Sequence, residues 1–101
     1  MAKKDADIEK TSALLKAVSD TDRIKLVLQL RDGKKNVGTL ARAIGVEIVN
    51  VSHHLGVLRE NKVVHAQKVG RHVFYSLNPD LMRQEGSTLH FQLAGAKLVI
   101  H

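Results

Sequence analysis

Asn50, Ser52 and His53 fall within one helical turn of each other in the stretch NVGTLARAIGVEIVNVSHHLGVLRENKVV, residues 36–64. On a helix Asn50 and His53 share one side and present an amide and an imidazole together, with the Ser52 hydroxyl on the flank. An amide in that setting pairs bidentately with adenine, an imidazole donates to guanine or phosphate, and the neighbouring Val49 suits a thymine methyl. A second group, Lys68, Arg71 and His72 around Gly70, carries the donors that suit phosphate or minor-groove contact. Arg59 and Lys62 follow the helix and suit phosphate or solvent equally, as do Arg42 and the Lys34-Lys35 pair. Glu47 points the other way, because a carboxylate is repelled by phosphate unless it caps the helix or accepts from a cytosine amino group.

Six histidines raise the question of a metal, and their spacing argues against one. Adjacent His53 and His54 point about 100° apart on a helix, so one chain does not readily close both on one ion. His90 and His101 can meet across a C-terminal hairpin, but two ligands fall short of a zinc site. His54, at the margin of an apolar stripe, reads as a half-buried structural residue. There is no cysteine, which removes disulfides, thiolate metal sites and cysteine nucleophiles together. No HExxH pair, Gly-rich phosphate loop or nucleophile–base arrangement appears either. Asp20 and Asp22 read as helix starters, not as paired catalytic carboxylates. The sequence therefore assigns no enzymatic activity, no catalytic residue, no metal and no cofactor.

The elements that must position these groups follow from periodicity. Taking Val51 as reference, Ile48, Leu55 and Leu58 lie within about 60° on a helical wheel, opposite Val49, Asn50, His53, Gly56 and Glu60. Upstream, Val37, Leu40, Ala41 and Ile44 form a matching stripe, and Gly45 supplies the turn between two helices over residues 36–60. That is a helix-turn-helix pattern. From Lys62 to Leu77 the period becomes two, with Gly70 at the tip, so residues 62–77 read as a β-hairpin wing.

Before the motif, residues 1–7 are polar and expected to fray. Asp7 is expected to cap a helix over about Ile8–Val18, with Ile8, Leu14, Leu15 and Val18 available for burial. Asp20 suits the N-cap of the next helix, with Ile24, Val27, Leu28 and Leu30 inward and Gly33 at its end. After the wing, Asn78-Pro79-Asp80 signals a helix start through Leu81 and Met82, cut short by Gly86-Ser87. In the remaining STLHFQLAGAKLVIH, Leu89, Leu93, Ala96 and Ile100 fit a helical face, yet Leu89, Phe91 and Leu93 also alternate. The β-branched ending and Ala94-Gly95-Ala96 favour a second hairpin. The fold class expected is α+β and mostly helical: a winged helix-turn-helix with a short C-terminal extension, residues 80–101, that reads as β and suits dimerisation.

With 101 residues, 44% of them hydrophobic and 3% aromatic, the chain is expected to be one domain with a modest aliphatic core. Its formal charge of +6 favours polyanions, since each cation that neutralises a phosphate releases counterions. The opening MAKKDADIEK has no apolar core of a signal peptide, and no run nears the roughly 18 apolar residues of a membrane span. A cytoplasmic protein without membrane association is expected.

From Leu14 to Pro79 the chain resembles the ArsR/SmtB family of small winged-helix repressors. SDTDRIKLVLQL, with Asp20 and Arg23, is similar to the family's capped second helix, and VGTLARAIGV to its first motif helix and turn. VSHHLGVLRENKVV resembles the recognition helix and its exit, and VGRHVFYSLNP the wing and closing strand. The resemblance implies a homodimeric repressor that binds a palindromic duplex operator and leaves it when an effector binds, with Ser52, His53 and the wing tip facing DNA. It also marks departures. Where metal sensors of the family place cysteines, this chain has Asn36-Val37-Gly38-Thr39. The long C-terminal helix that carries other zinc sites and part of the dimer interface is truncated. The polar run entering the recognition helix is replaced by Glu47-Ile48-Val49-Asn50. The alternative to a regulator is a winged helix used for protein–protein contact, which Val49 and Val57 on the outward side favour.

Overall fold

The computed structural model describes residues 3–92 and 97–100. The first helix, α1, spans Lys3–Val18, so Asp7 lies inside it and is not its cap. No helix breaker precedes Asp7, and Asp5 sits in the first turn, where a carboxylate complements the helix dipole. Leu14, Ala17 and Val18 are buried, whereas Ile8 and Leu15, both expected inward, are exposed. Leu14, Ala17 and Val18 follow i, i+3, i+4 spacing, and Leu15 stands about 100° off that stripe.

Asp20 caps α2, Thr21–Gln29, by accepting from the Arg23 N–H at 3.1 Å. Leu26 and Val27 form its core face, with Leu30 buried in the following 3-10 turn, Leu30–Asp32. Ile24 and Leu28 are half-buried. A two-residue strand β1, Lys35–Asn36, then leads into α3, Val37–Ile44. The Asn36 side chain caps α3 by accepting from the Thr39 N–H at 2.8 Å. Gly45, at φ 69°, takes the left-handed conformation that ends α3 and turns the chain.

The second motif helix, α4, spans Ile48–Glu60 and buries Val51, Leu55 and Leu58. Ile48 does not join them; it is 56% exposed. Helical side chains lean towards the N-terminus, so the first-turn Ile48 leans past the start of the stripe instead of onto it. Val57, expected outward, is half-buried. The helix closes with the Val63 N–H on the Leu58 carbonyl at 2.9 Å and the Lys62 N–H on the Arg59 carbonyl at 3.0 Å. These are the two bonds of a Schellman motif, with Lys62 at φ 61° in the position glycine usually takes.

The wing is the antiparallel pair β2, Val64–Val69, and β3, His72–Leu77, in register from Val64↔Leu77 to Val69↔His72. Gly70 at φ 62° starts the two-residue turn. β1 pairs on the other edge of β3, Lys35↔Tyr75 and Asn36↔Phe74, giving the sheet order β1-β3-β2.

The tail forms a second antiparallel sheet, not the helix expected at Leu81 and Met82. β4, Met82–Glu85, β5, Thr88–Gln92, and β6, Lys97–Ile100, run in order. Asn78, only 5% exposed, governs the change of direction. Its Nδ2 donates to the Lys62 carbonyl at 2.8 Å, its Oδ1 accepts from the Asp80 N–H, and its carbonyl accepts from the N–H groups of Leu81 and Met82. That makes a single closed turn. The few residues before Gly86, at φ 61°, are too few to sustain a helix. The second hairpin expected from the ending is present as β5 and β6, with Leu89↔Ile100 and Phe91↔Leu98 facing each other. Leu93, the Ala94-Gly95-Ala96 turn and His101 lie outside the described residues.

One core joins both sheets to the helices. Leu14, Val18, Leu26, Val27, Leu30, Leu40, Val51, Leu55, Leu58, Val63 and Val64 pack with Met82, Leu89 and Phe91 of the tail. The aliphatic core expected from composition is thus completed by one aromatic ring, Phe91, which is fully buried.

Candidate nucleic-acid interface

The inward stripe of α4 packs on α2 and α3, and that contact decides which of its side chains remain outside. Val49, Asn50, Ser52, His53, Gly56, Arg59 and Glu60 are all exposed. Among the described residues, the side chains of Asn50, Ser52 and Arg59 have no hydrogen-bond or ion-pair partner. The chain's own tail packs elsewhere, through Met82, Leu89 and Phe91 into the core.

At the wing, Lys68 is the penultimate residue of β2, Arg71 occupies the turn and His72 opens β3, and all three are exposed. The His72 ring lies 6.3 Å from that of Phe74 at an interplanar angle of 59°. Phe74 is also covered by Lys34, whose Nζ stands 5.3 Å above the ring, a cation–π distance. Lys35 is engaged too, with its Nζ on Asp32 Oδ1 at 2.5 Å and on the Gln29 carbonyl. Both lysines of the Lys34-Lys35 pair therefore have partners within the fold. Arg42 bonds the Thr39 hydroxyl at 3.4 Å.

Three features went unseen in the sequence. Ile48 stands outside with Val49 at the start of α4. Glu47 occupies the N-cap position without a side-chain cap bond, so capping does not account for its carboxylate. His54 is wedged between the two helix-starting aspartates, with Nδ1 3.9 Å from Asp20 Oδ2 and Nε2 3.6 Å from Asp22 Oδ2. One ligand atom from each of these three residues lies within 4.8 Å of the others. Asp20 already caps α2 through Arg23, and that backbone bond, more than the His54 charge, lowers its pKa. Three donors with one engaged fall short of the four ligands of a structural zinc site, so the cluster is read as the joint that seats α4 on α2. Its half-buried His54 is the structural residue expected.

A helix-turn-helix with an outward-facing second helix, followed by a hairpin wing, is the architecture of DNA-binding transcription regulators. Comparison with known proteins agrees. The family model described as bacterial regulatory protein, arsR family, matches residues 20–66. The transcriptional repressor SdpR of Bacillus subtilis is 30% identical over 70 residues, 69% of this chain and 78% of that protein. The regulator NmtR of Mycobacterium tuberculosis is 41% identical over 66 residues, 65% of this chain but 55% of its own length. The structure of reduced HlyU from Vibrio cholerae superposes with a TM-score of 0.69 at 28% identity, covering 77% of this chain and 82% of that one. The chain belongs to the ArsR family of transcription regulators, a family of DNA-binding proteins and not of enzymes. Among the described residues no helix is long and apolar enough to cross a membrane.

Proposed function

We propose that this regulator is a cytoplasmic repressor that binds a palindromic duplex operator as a homodimer. Residues 1–101 act as a single winged-helix unit, with the extension at residues 80–101 contributing to the dimer. Val49, Asn50, Ser52 and His53 meet base edges in the major groove, while Arg59 and the wing residues Lys68, Arg71 and His72 hold phosphate or the adjacent minor groove. The observation that carries this reading is the uncovered outer face of α4. The charge of +6 supports it as well. Repression follows the similarity to SdpR, and a dimer is supported by the exposed Ile8 and Leu15 on α1, which suit a subunit contact. Two copies would address half-sites about 34 Å apart.

The test is retardation of duplexes enriched from a random pool, titrated with salt. Arg59, Lys68 and Arg71 supply three certain cations per protomer, so log affinity should fall against log salt with a slope of about −5 for a dimer. No retardation at low salt would reject DNA binding and favour the protein–protein module. Binding at the same slope with no sequence enrichment would reject base reading by α4.

A further inference from the structure

Ile48 and Val49 are the first two residues of α4 and are 56% and 79% exposed. The other large exposed hydrophobics, Ile8, Leu15, Val69 and Val99, have no such neighbour in sequence. Among the described residues Ile48 and Val49 are thus the one adjacent pair, and Val49 is the most exposed of the set. Single apolar residues on a surface need no explanation, but a contiguous pair at a candidate interface does.

Helix stability does not explain the pair. Asp20 and Asn36 cap α2 and α3 through side-chain bonds, whereas Glu47 makes none at the head of α4. Branching at Cβ further restricts Ile and Val in a helix. Core packing does not explain it either, since the buried stripe of α4 is Val51, Leu55 and Leu58. The first turn of the recognition helix is therefore built against its own stability and presents two aliphatic side chains outward.

We propose that Ile48 and Val49 read thymine C5-methyl groups on neighbouring base pairs of each operator half-site. This rests on the DNA-binding reading above and specifies what α4 recognises. In the major groove only thymine offers an apolar group, while the other edges carry donors and acceptors that lose water against an aliphatic side chain. Ile and Val can neither donate nor accept, so contact with a cytosine amino group or a guanine carbonyl leaves that group unpaired. The next residue, Asn50, is exposed as well and matches adenine bidentately, so the first turn as a whole selects A·T pairs.

The experiment uses the full chain and an operator enriched from random duplexes. Each thymine of the half-site is replaced singly by deoxyuridine, which keeps every hydrogen-bonding group and removes only the methyl. Two positions in each half-site should lose affinity about fourfold, the value of one buried methyl group. In the Val49→Ala protein the loss at one of them should disappear, and in Ile48→Ala the loss at the other, with Tm and salt slope unchanged. Insensitivity of the operator to every such replacement, or equal sensitivity in both variants, overturns the inference and leaves DNA binding intact. Failure to enrich any duplex overturns both.

Discussion

His54 Nε2, on α4, stands 3.6 Å from Asp22 Oδ2 in the first turn of α2. This contact joins α4 to the first turn of α2 through two residues 32 positions apart in sequence. The ring is mostly enclosed, and its Nδ1 is buried without a hydrogen-bond partner. Packing of the ring, more than its nitrogens, should therefore hold the joint. His54→Ala should cost about 1–2 kcal/mol in urea denaturation, within the range for truncating a partly buried side chain. His54→Phe keeps the ring and spares the unpaired nitrogen, so its loss should be smaller. Equal losses in the two variants would show that the nitrogens carry the joint.

Acid should expose the cap of α2. The Arg23 backbone N–H, bonded to the Asp20 carboxylate, lowers the Asp20 pKa, and the neighbouring His54 and Arg23 charges act in the same direction. A folded pKa below the unfolded one means the stabilisation is present above the unfolded value of about 3.9 and is lost as pH falls through the folded value. Asp20→Ala should lose about 1 kcal/mol at neutral pH. Asp20→Asn, an equally good cap, should retain most of that stability and flatten the fall in denaturation midpoint below about pH 4.

Lys62 pays a backbone cost that glycine would not. At φ 61° it occupies the left-handed position of the motif closing α4, where a Cβ is disfavoured by roughly 1–2 kcal/mol. Glycine loses part of that gain to the greater entropy of the unfolded chain. Lys62→Gly should raise stability by about 0.5–1 kcal/mol, measured by thermal melting. Operator affinity at moderate salt should change little, because Lys62 is assigned no contact with bases. A fall in Tm would mean that the exposed Lys62 side chain stabilises the fold by more than the strain it imposes.

The features legible in the sequence are those written locally. Asp20 three residues before Arg23, Gly45 between two stripes, and Gly70 between two alternating runs each encode an element within a few positions. The family resemblance over Leu14–Pro79 reinforced the same segments. The contacts that escaped are made across the chain: β1 is a strand because Lys35 faces Tyr75, and His54 is placed by aspartates of another helix. Asn78-Pro79-Asp80 has the composition of a helix start, but the Asn78 side chain is committed to the Lys62 carbonyl across the base of the wing, 16 positions back in sequence. Ile48 lies on the buried stripe by wheel angle but stands outside it, because a wheel gives angle and not depth and a first-turn residue leans past the end of the stripe. For the candidate site, residue types and most of the outer face are legible in the sequence, whereas the exposure of Ile48 and the half-burial of Val57 are not.

Asn50 and Arg71 separate reading of sequence from grip on backbone. Both side chains are exposed and, among the described residues, unpartnered, so neither substitution by alanine should disturb the fold. Asn50, at the head of α4, can reach a base edge, and losing a bidentate pair costs about 1–3 kcal/mol of discrimination. Asn50→Ala should therefore weaken the enriched operator by tenfold or more and leave non-specific duplex binding unchanged. Arg71, in the two-residue turn of the wing, carries no base assignment and acts through charge. Arg71→Ala should weaken every duplex alike and make the salt slope shallower by about 0.9 for each protomer bound. Both are measured by comparing operator and scrambled duplex across a salt series. A uniform loss from Asn50→Ala with a shallower slope would move that residue from the bases to the phosphates, and the orientation assigned to α4 in the groove would have to be redrawn.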